Sequence, residues 1–203
     1  MDKEILDASE RKKLQQVGST AVAACLHGNP KLNTPLRLVV AHVGDSRAIL
    51  CRAGQAVALT DDHTPARIDE KRRIEKAGGL ILDVKGTLRV ATSQNPESMN
   101  KKERSMLQGL AMTRCIGDYY FKKPTALAVA EPDVAVHKIS DKDLFMVLVT
   151  DGVCDVLTNQ EVIDLAAPHW QDQDEAAKAI VREAFKRGTQ DNLTAAVIQF
   201  GWA

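Results

Sequence analysis

The sequence predicts an α+β protein built as a sandwich of mainly antiparallel β-sheets, and three observations carry that prediction. Short runs rich in β-branched residues recur along the chain, separated by clusters of turn-forming residues. Stretches with helical periodicity are few and interrupt the strands. One run, Leu144 to Val149, is apolar throughout, as expected of a strand buried on both faces.

Taken in order, residues 2–16 predict a short helix whose apolar positions are Ile5, Leu6 and Leu14. Residues 21–26 predict a buried strand, and the Gly28-to-Pro35 segment a turn-rich loop. Residues 36–43 and 48–52 predict strands, and Gly44-Asp45-Ser46 between them has the composition of a tight hairpin turn. With residues 56–59 they describe an antiparallel meander. A helix is expected over 66–77 on Ile68, Ile74 and Ala77, with Gly78-Gly79 ending it. Residues 80–82 and 87–90 predict a hairpin through Lys85-Gly86. Residues 91–109 are polar and without period, which suggests a surface insertion. Residues 129–139 are extended and broken by Pro132. After the central strand come helices over 159–167 and 174–186, the second with Ala177, Ile180, Val181, Ala184 and Phe185 on one face. Residues 192–200 close the chain as a strand. No internal repeat appears.

Composition narrows the function classes. Lys+Arg and Asp+Glu number 27 each, so the formal net charge is zero, which speaks against a nucleic-acid binder. Cys25, Cys51, Cys115 and Cys154 are widely spaced, as for reduced thiols rather than a disulfide framework or zinc site. No apolar run approaches the roughly 18 residues of a membrane span, and residues 1–16 carry charges of both signs, unlike a signal peptide. A cytoplasmic or nuclear protein, with no membrane partner, is expected. No G-x-G-x-x-G, Walker or G-x-S-x-G sequence is present.

The chemistry concentrates in Asp143-Leu-Phe-Met-Val-Leu-Val-Thr-Asp151-Gly152-Val-Cys-Asp155. The apolar run ends abruptly at Asp151, pushing a carboxylate beyond the core, and Gly152 allows a sharp turn there. Asp155 follows at i+4, so in a helical turn the two acids share a face. No basic residue lies between Lys142 and Asp155 to neutralise them. A hard divalent cation fits such a pair; a helix-capping Asp151 beside a solvated Asp155 is the alternative. Asp45 and Asp191 likewise sit at a turn or just before a strand. Together the four have the residue type and placement that a shared metal cluster needs, although turns recruit Asp for local reasons as well.

The motifs Gly18-Ser-Thr-Ala, Val43-Gly-Asp-Ser-Arg47, Asp62-His-Thr-Pro65 and Arg73-Ile-Glu-Lys-Ala-Gly-Gly79 occur in that order. Leu110-Ala-Met-Thr-Arg-Cys-Ile-Gly-Asp118, Glu131-Pro-Asp133, Thr150-Asp-Gly-Val-Cys-Asp155 and Gly188-Thr-Gln-Asp-Asn192 follow. With these motifs the chain resembles the metal-dependent protein serine/threonine phosphatases of the PP2C (PPM) family, from Gly18 onward. The resemblance implies a β-sandwich flanked by helices and a centre of two Mn²⁺ or Mg²⁺ ions, with a third more weakly held. It implies that Asp151 and Asp191 are core metal ligands, and that Asp45 and Asp155 hold the third ion together with Asp151. It further implies hydrolysis of phosphoserine and phosphothreonine in phosphoprotein substrates by a metal-activated water.

The pattern departs from the family at its front. Family members carry Asp-Gly-His-Gly-Gly, and earlier an Arg and a Glu-Asp pair, before the Gly-Ser-Thr segment; the 17 residues preceding Gly18 supply none of these. Residues 1–17 are therefore expected to be a lead-in and 18–203 the C-terminal two-thirds of a phosphatase domain, with 91–109 in the place of the flap. No catalytic residue is assigned, and the isolated chain is expected to bind metal weakly. A non-catalytic relative that binds a partner as a scaffold is the alternative. Arg47 and Arg114 are expected to tie neighbouring carboxylates, His63 and Asp118 to stabilise turns, and Cys154 to pack in the interior. His27 is expected to be an ordinary strand-end residue. A monomer is expected.

Overall fold

The computed structural model describes residues 1–29, 34–91 and 109–202. Residues 92–108 of the expected insertion and 30–33 of the expected loop lie outside the described residues. The chain divides into two compact units: Met1–Ala21, Val43–Asp45 and Asp62–Pro132 in one, and Val22–His42, Ser46–Asp61 and Asp133–Ala203 in the other.

The second unit is the expected sandwich. One sheet has three strands in the order β2 (Ala21–Asn29), β3 (Thr34–Val43) and β9 (Asp133–Lys138). The other has four, in the order β11 (Ala195–Gln199), β10 (Asp143–Val149), β4 (Arg47–Arg52) and β5 (Gln55–Ala58). Pairing in the four-stranded sheet is antiparallel throughout. Residues alternate faces along a strand, so β4 sends Ala48 and Leu50 into one core and Ile49 and Cys51 into another. The first core joins the two sheets through Leu38, Val40, Leu50 and Met146. The second packs Ile49, Phe145 and Val147 against helices α4 (Asn159–Ala166) and α5 (Gln173–Lys186), through Ile163, Ile180 and Ala184. Complete burial of each such large side chain contributes about 1.5–3 kcal/mol. β10 is central and faces a core on each side, which is why its run is continuously apolar.

The helices are closed at their starts. Thr158 and Glu161 form a reciprocal capping box on α4, and Asp172 accepts from the Glu175 N–H on α5. Arg187 ties the end of α5 to the start of α4 by reaching Glu161 at 2.7 Å and the Val156 carbonyl at 2.9 Å.

The first unit holds α1 (Asp2–Lys12), α2 (Ile68–Lys76), the expected hairpin β6 (Leu80–Val84) and β7 (Thr87–Ala91), and the short pair β1 (Gly18–Ser19) and β8 (Ile116–Gly117). Ile74, Val90 and Leu127 form its small core. α1 is fastened by the buried Lys122, whose Nζ donates to Asp2 at 2.6 Å and to the Cys115 carbonyl at 2.7 Å. Glu70, also buried, accepts from Arg114 at 2.7 Å and from Arg73 at 2.9 Å. These two guanidiniums compensate a carboxylate that burial alone would leave costly.

Four expectations about these elements are corrected, the first being the buried strand at 21–26: β2 forms there, but with Ala21, Ala23, Cys25 and Leu26 exposed. Gly44-Asp45-Ser46 does not close a hairpin, because β3 pairs with β9 while β4 pairs with β5 and β10 in the other sheet. β4 faces a core on each side, and the chain crosses from one sheet to the other at this turn. Phe185 is 73 % exposed, and the buried face of α5 is instead Ala176, Ile180 and Ala184. Ile68, at the first turn of α2, is also exposed; Ile74 alone anchors that helix among its own residues' large apolar side chains.

Candidate metal centre

The ladder between β10 and β11 ends at the pair Val149 and Ala195. A side chain extends it by one step. The Thr150 N–H donates to the Thr194 carbonyl at 3.2 Å, the Thr194 N–H donates to Thr150 Oγ1 at 3.1 Å, and that hydroxyl donates to the Asn192 carbonyl at 3.5 Å. The chain then enters a single helical turn, α3 (Asp151–Cys154). Gly152 in this turn abuts the incoming strand: a Cβ built on it would stand 2.5 Å from the Asn192 carbonyl oxygen and 3.1 Å from Asp191 Cβ. The glycine is therefore required by space, and not, as the sequence suggested, by a sharp turn. The residues holding Asp151 and Asp191 are thus seated side by side at one end of the four-stranded sheet.

Each carboxylate is oriented by the peptide that follows it. Asp151 Oδ1 accepts from the Gly152 N–H at 2.9 Å, and Asp191 Oδ1 from the Asn192 N–H at 2.7 Å. The second oxygen of each makes no hydrogen bond or ion pair among the described residues. Asp155 lies one turn beyond Asp151, is exposed, and donates its N–H to the Asp151 carbonyl at 2.8 Å. Three of the four expected ligands are therefore gathered at one end of the sandwich unit. Asp45, half-buried on the Gly44-to-Ser46 turn, belongs to the other unit.

The donor set fits a hard divalent ion. Every candidate donor is a carboxylate oxygen, the class that Mg²⁺ and Mn²⁺ prefer, and exposure leaves room for the waters such ions retain. The seat beside Gly152 sets the Asp191 backbone against the turn that carries Asp151.

The remaining singled-out residues have structural partners. Arg114 grips Glu70 and the Glu131 carbonyl, as expected of a residue tying a carboxylate. Arg47 donates to Asn159 Oδ1 at 3.2 Å. Asp118 sits in the left-handed region with φ 53°, buried at the start of a 3₁₀ turn over Tyr119–Phe121. Burial pushes its carboxyl above the usual carboxylate range. Cys154 packs against the helix-side core, and His27 is an exposed residue of β2. Thr150 was not anticipated; its signal in the sequence is a hydroxyl residue placed between a buried strand and the Asp-Gly pair.

An antiparallel sandwich backed by helices, with acids at one end of the neighbouring strands β10 and β11, defines the class to which the comparisons point. The protein phosphatase 2C family model matches residues 1–193, and the chain belongs to that family. It is 38% identical over 199 residues to probable protein phosphatase 2C 45 of Oryza sativa subsp. japonica, spanning 98% of this chain and 60% of that protein. It is also 38% identical over 199 residues to probable protein phosphatase 2C 71 of Arabidopsis thaliana, spanning 98% of this chain and 38% of that protein. The fold matches the crystal structure of serine-threonine phosphatase 2C from Toxoplasma gondii with a TM-score of 0.75, at 24% identity, over 98% of this chain and 64% of that one. The chain thus spans less than two-thirds of the length of these relatives. No helix among the described residues is long and apolar enough to cross a membrane.

Proposed function

We propose that the protein containing this chain hydrolyses phosphoserine and phosphothreonine in phosphoprotein substrates with the help of Mn²⁺ or Mg²⁺. Asp151 and Asp191 would be the core metal ligands, with Asp45 and Asp155 contributing to a weaker ion alongside Asp151. The observation that carries this reading is the seating of Asp191 against Gly152, the residue after Asp151, with one oxygen of each aspartate oriented by the amide that follows it. Bound divalent ions supply an acidified water and neutralise phosphate oxygens. The chain's own contribution is orientation. The Gly152 and Asn192 amides fix one oxygen of each ligand, the Thr150 hydroxyl holds the two strand ends in register, and β10 anchors them to both cores.

Calorimetric titration of the chain with Mn²⁺ tests the reading, beside hydrolysis of a phosphothreonine peptide by the longer protein. Asp151→Asn and Asp191→Asn are each expected to weaken Mn²⁺ binding at least tenfold, about the loss of a good charge-bearing ligand, and to abolish peptide hydrolysis. Unchanged binding and turnover in both variants would sink the assignment. Absence of turnover in the longer protein with metal binding intact would favour a metal-stabilised binding module instead.

A further inference from the structure

The turn that carries Asp45 is gripped by a buried histidine. The Gly44 N–H donates to His63 Nδ1 at 3.1 Å, and the Gly44 carbonyl accepts from the His63 N–H at 3.0 Å. The two bonds close a ring between the residues. His63 is 0 % exposed, and its own carbonyl accepts from the Thr113 N–H at 2.7 Å. Arg114, the next residue, has its guanidinium fixed on Glu70. Gly44 adopts φ +102°, and a Cβ there would stand 2.3 Å from Thr20 Cγ2. The Gly44 peptide is therefore constrained by its backbone region, by the space around it and by hydrogen bonds on both of its polar groups. Because Nδ1 accepts a hydrogen bond it carries a lone pair, so a neutral ring holds its proton on Nε2. An apolar side chain of similar volume would fill the same space but leave a buried N–H without that acceptor.

We infer that His63 is a positioning residue for Asp45: by fixing the preceding peptide it sets where the Asp45 carboxylate starts, and so sets the affinity of the weaker cation site. The inference rests on the proposed assignment of Asp45 as a ligand. Groups that orient a ligand change metal affinity by about 10–100-fold when removed.

The test is calorimetric titration of the chain with Mn²⁺, comparing the parent with His63→Leu, His63→Asn and Asp45→Asn. In His63→Asn the amide oxygen can take the place of Nδ1 as acceptor. His63→Leu is expected to weaken the weaker Mn²⁺ site about tenfold or more, leaving the stronger site and the far-ultraviolet circular dichroism unchanged, while His63→Asn recovers most of the loss. If Asp45→Asn removes the weaker site but His63→Leu leaves it intact, the positioning role is refuted and the ligand assignment stands. If Asp45→Asn changes nothing, or the parent takes up no second Mn²⁺, the assignment fails and the inference with it. Should His63→Leu not fold, nitrogen-15 NMR of the parent decides: an unprotonated Nδ1 with a slowly exchanging Gly44 amide supports the clamp, and a protonated Nδ1 overturns it.

Discussion

Gly152 and Asn192 approach so closely that no side chain fits between them; a Cβ on Gly152 would stand 2.5 Å from the Asn192 carbonyl oxygen. This contact seats the helical turn bearing Asp151 against the segment bearing Asp191. Gly152→Ala must push the two apart, because the opposing atom is backbone and cannot rotate away. The expected cost is about 1–3 kcal/mol, the usual range for overpacking a close contact. Urea denaturation should show it, and Mn²⁺ affinity should fall in parallel. An unaltered midpoint and affinity would mean that the two strand ends are not coupled through this contact.

Thr150 provides the second link between the same strand ends. Thr150→Val keeps the β-branched shape but removes the acceptor of the Thr194 N–H and the donor to the Asn192 carbonyl. A loss of about 1–2 kcal/mol is expected, the worth of one or two net hydrogen bonds. Thr150→Ser should retain most of the stability. Faster hydrogen exchange at the Thr194 amide in the valine variant, and not in the serine variant, is the specific signature.

Glu70 is the electrostatic keystone of the first unit. Burial alone would raise its pKa, but hydrogen bonds from Arg114 and Arg73 outweigh that effect and hold it below the usual value of 4.5. The folded value is thus lower than the unfolded one, so the contribution is complete above about pH 4.5 and disappears as pH falls through the folded value. Glu70→Ala leaves two guanidiniums without their carboxylate and is expected to destabilise by about 3–5 kcal/mol at neutral pH. The gap between parent and variant, followed by denaturant titration, should narrow on acidification.

Glu161 titrates by the same sign at the surface. Arg187, then the Thr158 amide and hydroxyl, lower its pKa from 4.5 to about 2. Its stabilising contribution is present above about pH 4.5 and lost progressively toward pH 2. Melting curves of Glu161→Gln should therefore diverge from the parent at neutral pH and converge with it in acid. Added salt should shrink the difference, since this pair is exposed. Independently of pH, Thr158→Ala is expected to cost about 1 kcal/mol through loss of the helix cap.

Much of the fold was legible because its signals are local. The apolar run of β10, the Lys85-Gly86 hairpin and the helices beginning after Thr158 and Asp172 each follow from residue type and period within a short window. The errors fall where burial depends on distant partners. The expected stripe put Phe185 on the same face as Ile180, yet it stands roughly 100° around the helix from Ala184 and so turns away from the face that Ala176, Ile180 and Ala184 bury. The composition of Gly44-Asp45-Ser46 suits a hairpin, but strand pairing is chosen by which faces can be covered, and here the chain changes sheets.

Sequence alone determined that acids would stand at strand ends and in turns, because an apolar strand that stops at Asp must expel that side chain, and it determined the family through the order of its motifs. Only tertiary structure decided that Asp191 would come to rest against Gly152 and that His63 would clasp Gly44. Those pairings are 39 and 19 residues apart along the chain by their numbering. Contacts over such separations are fixed by sheet register and by the close packing of two backbone segments, quantities that no local window of residues contains.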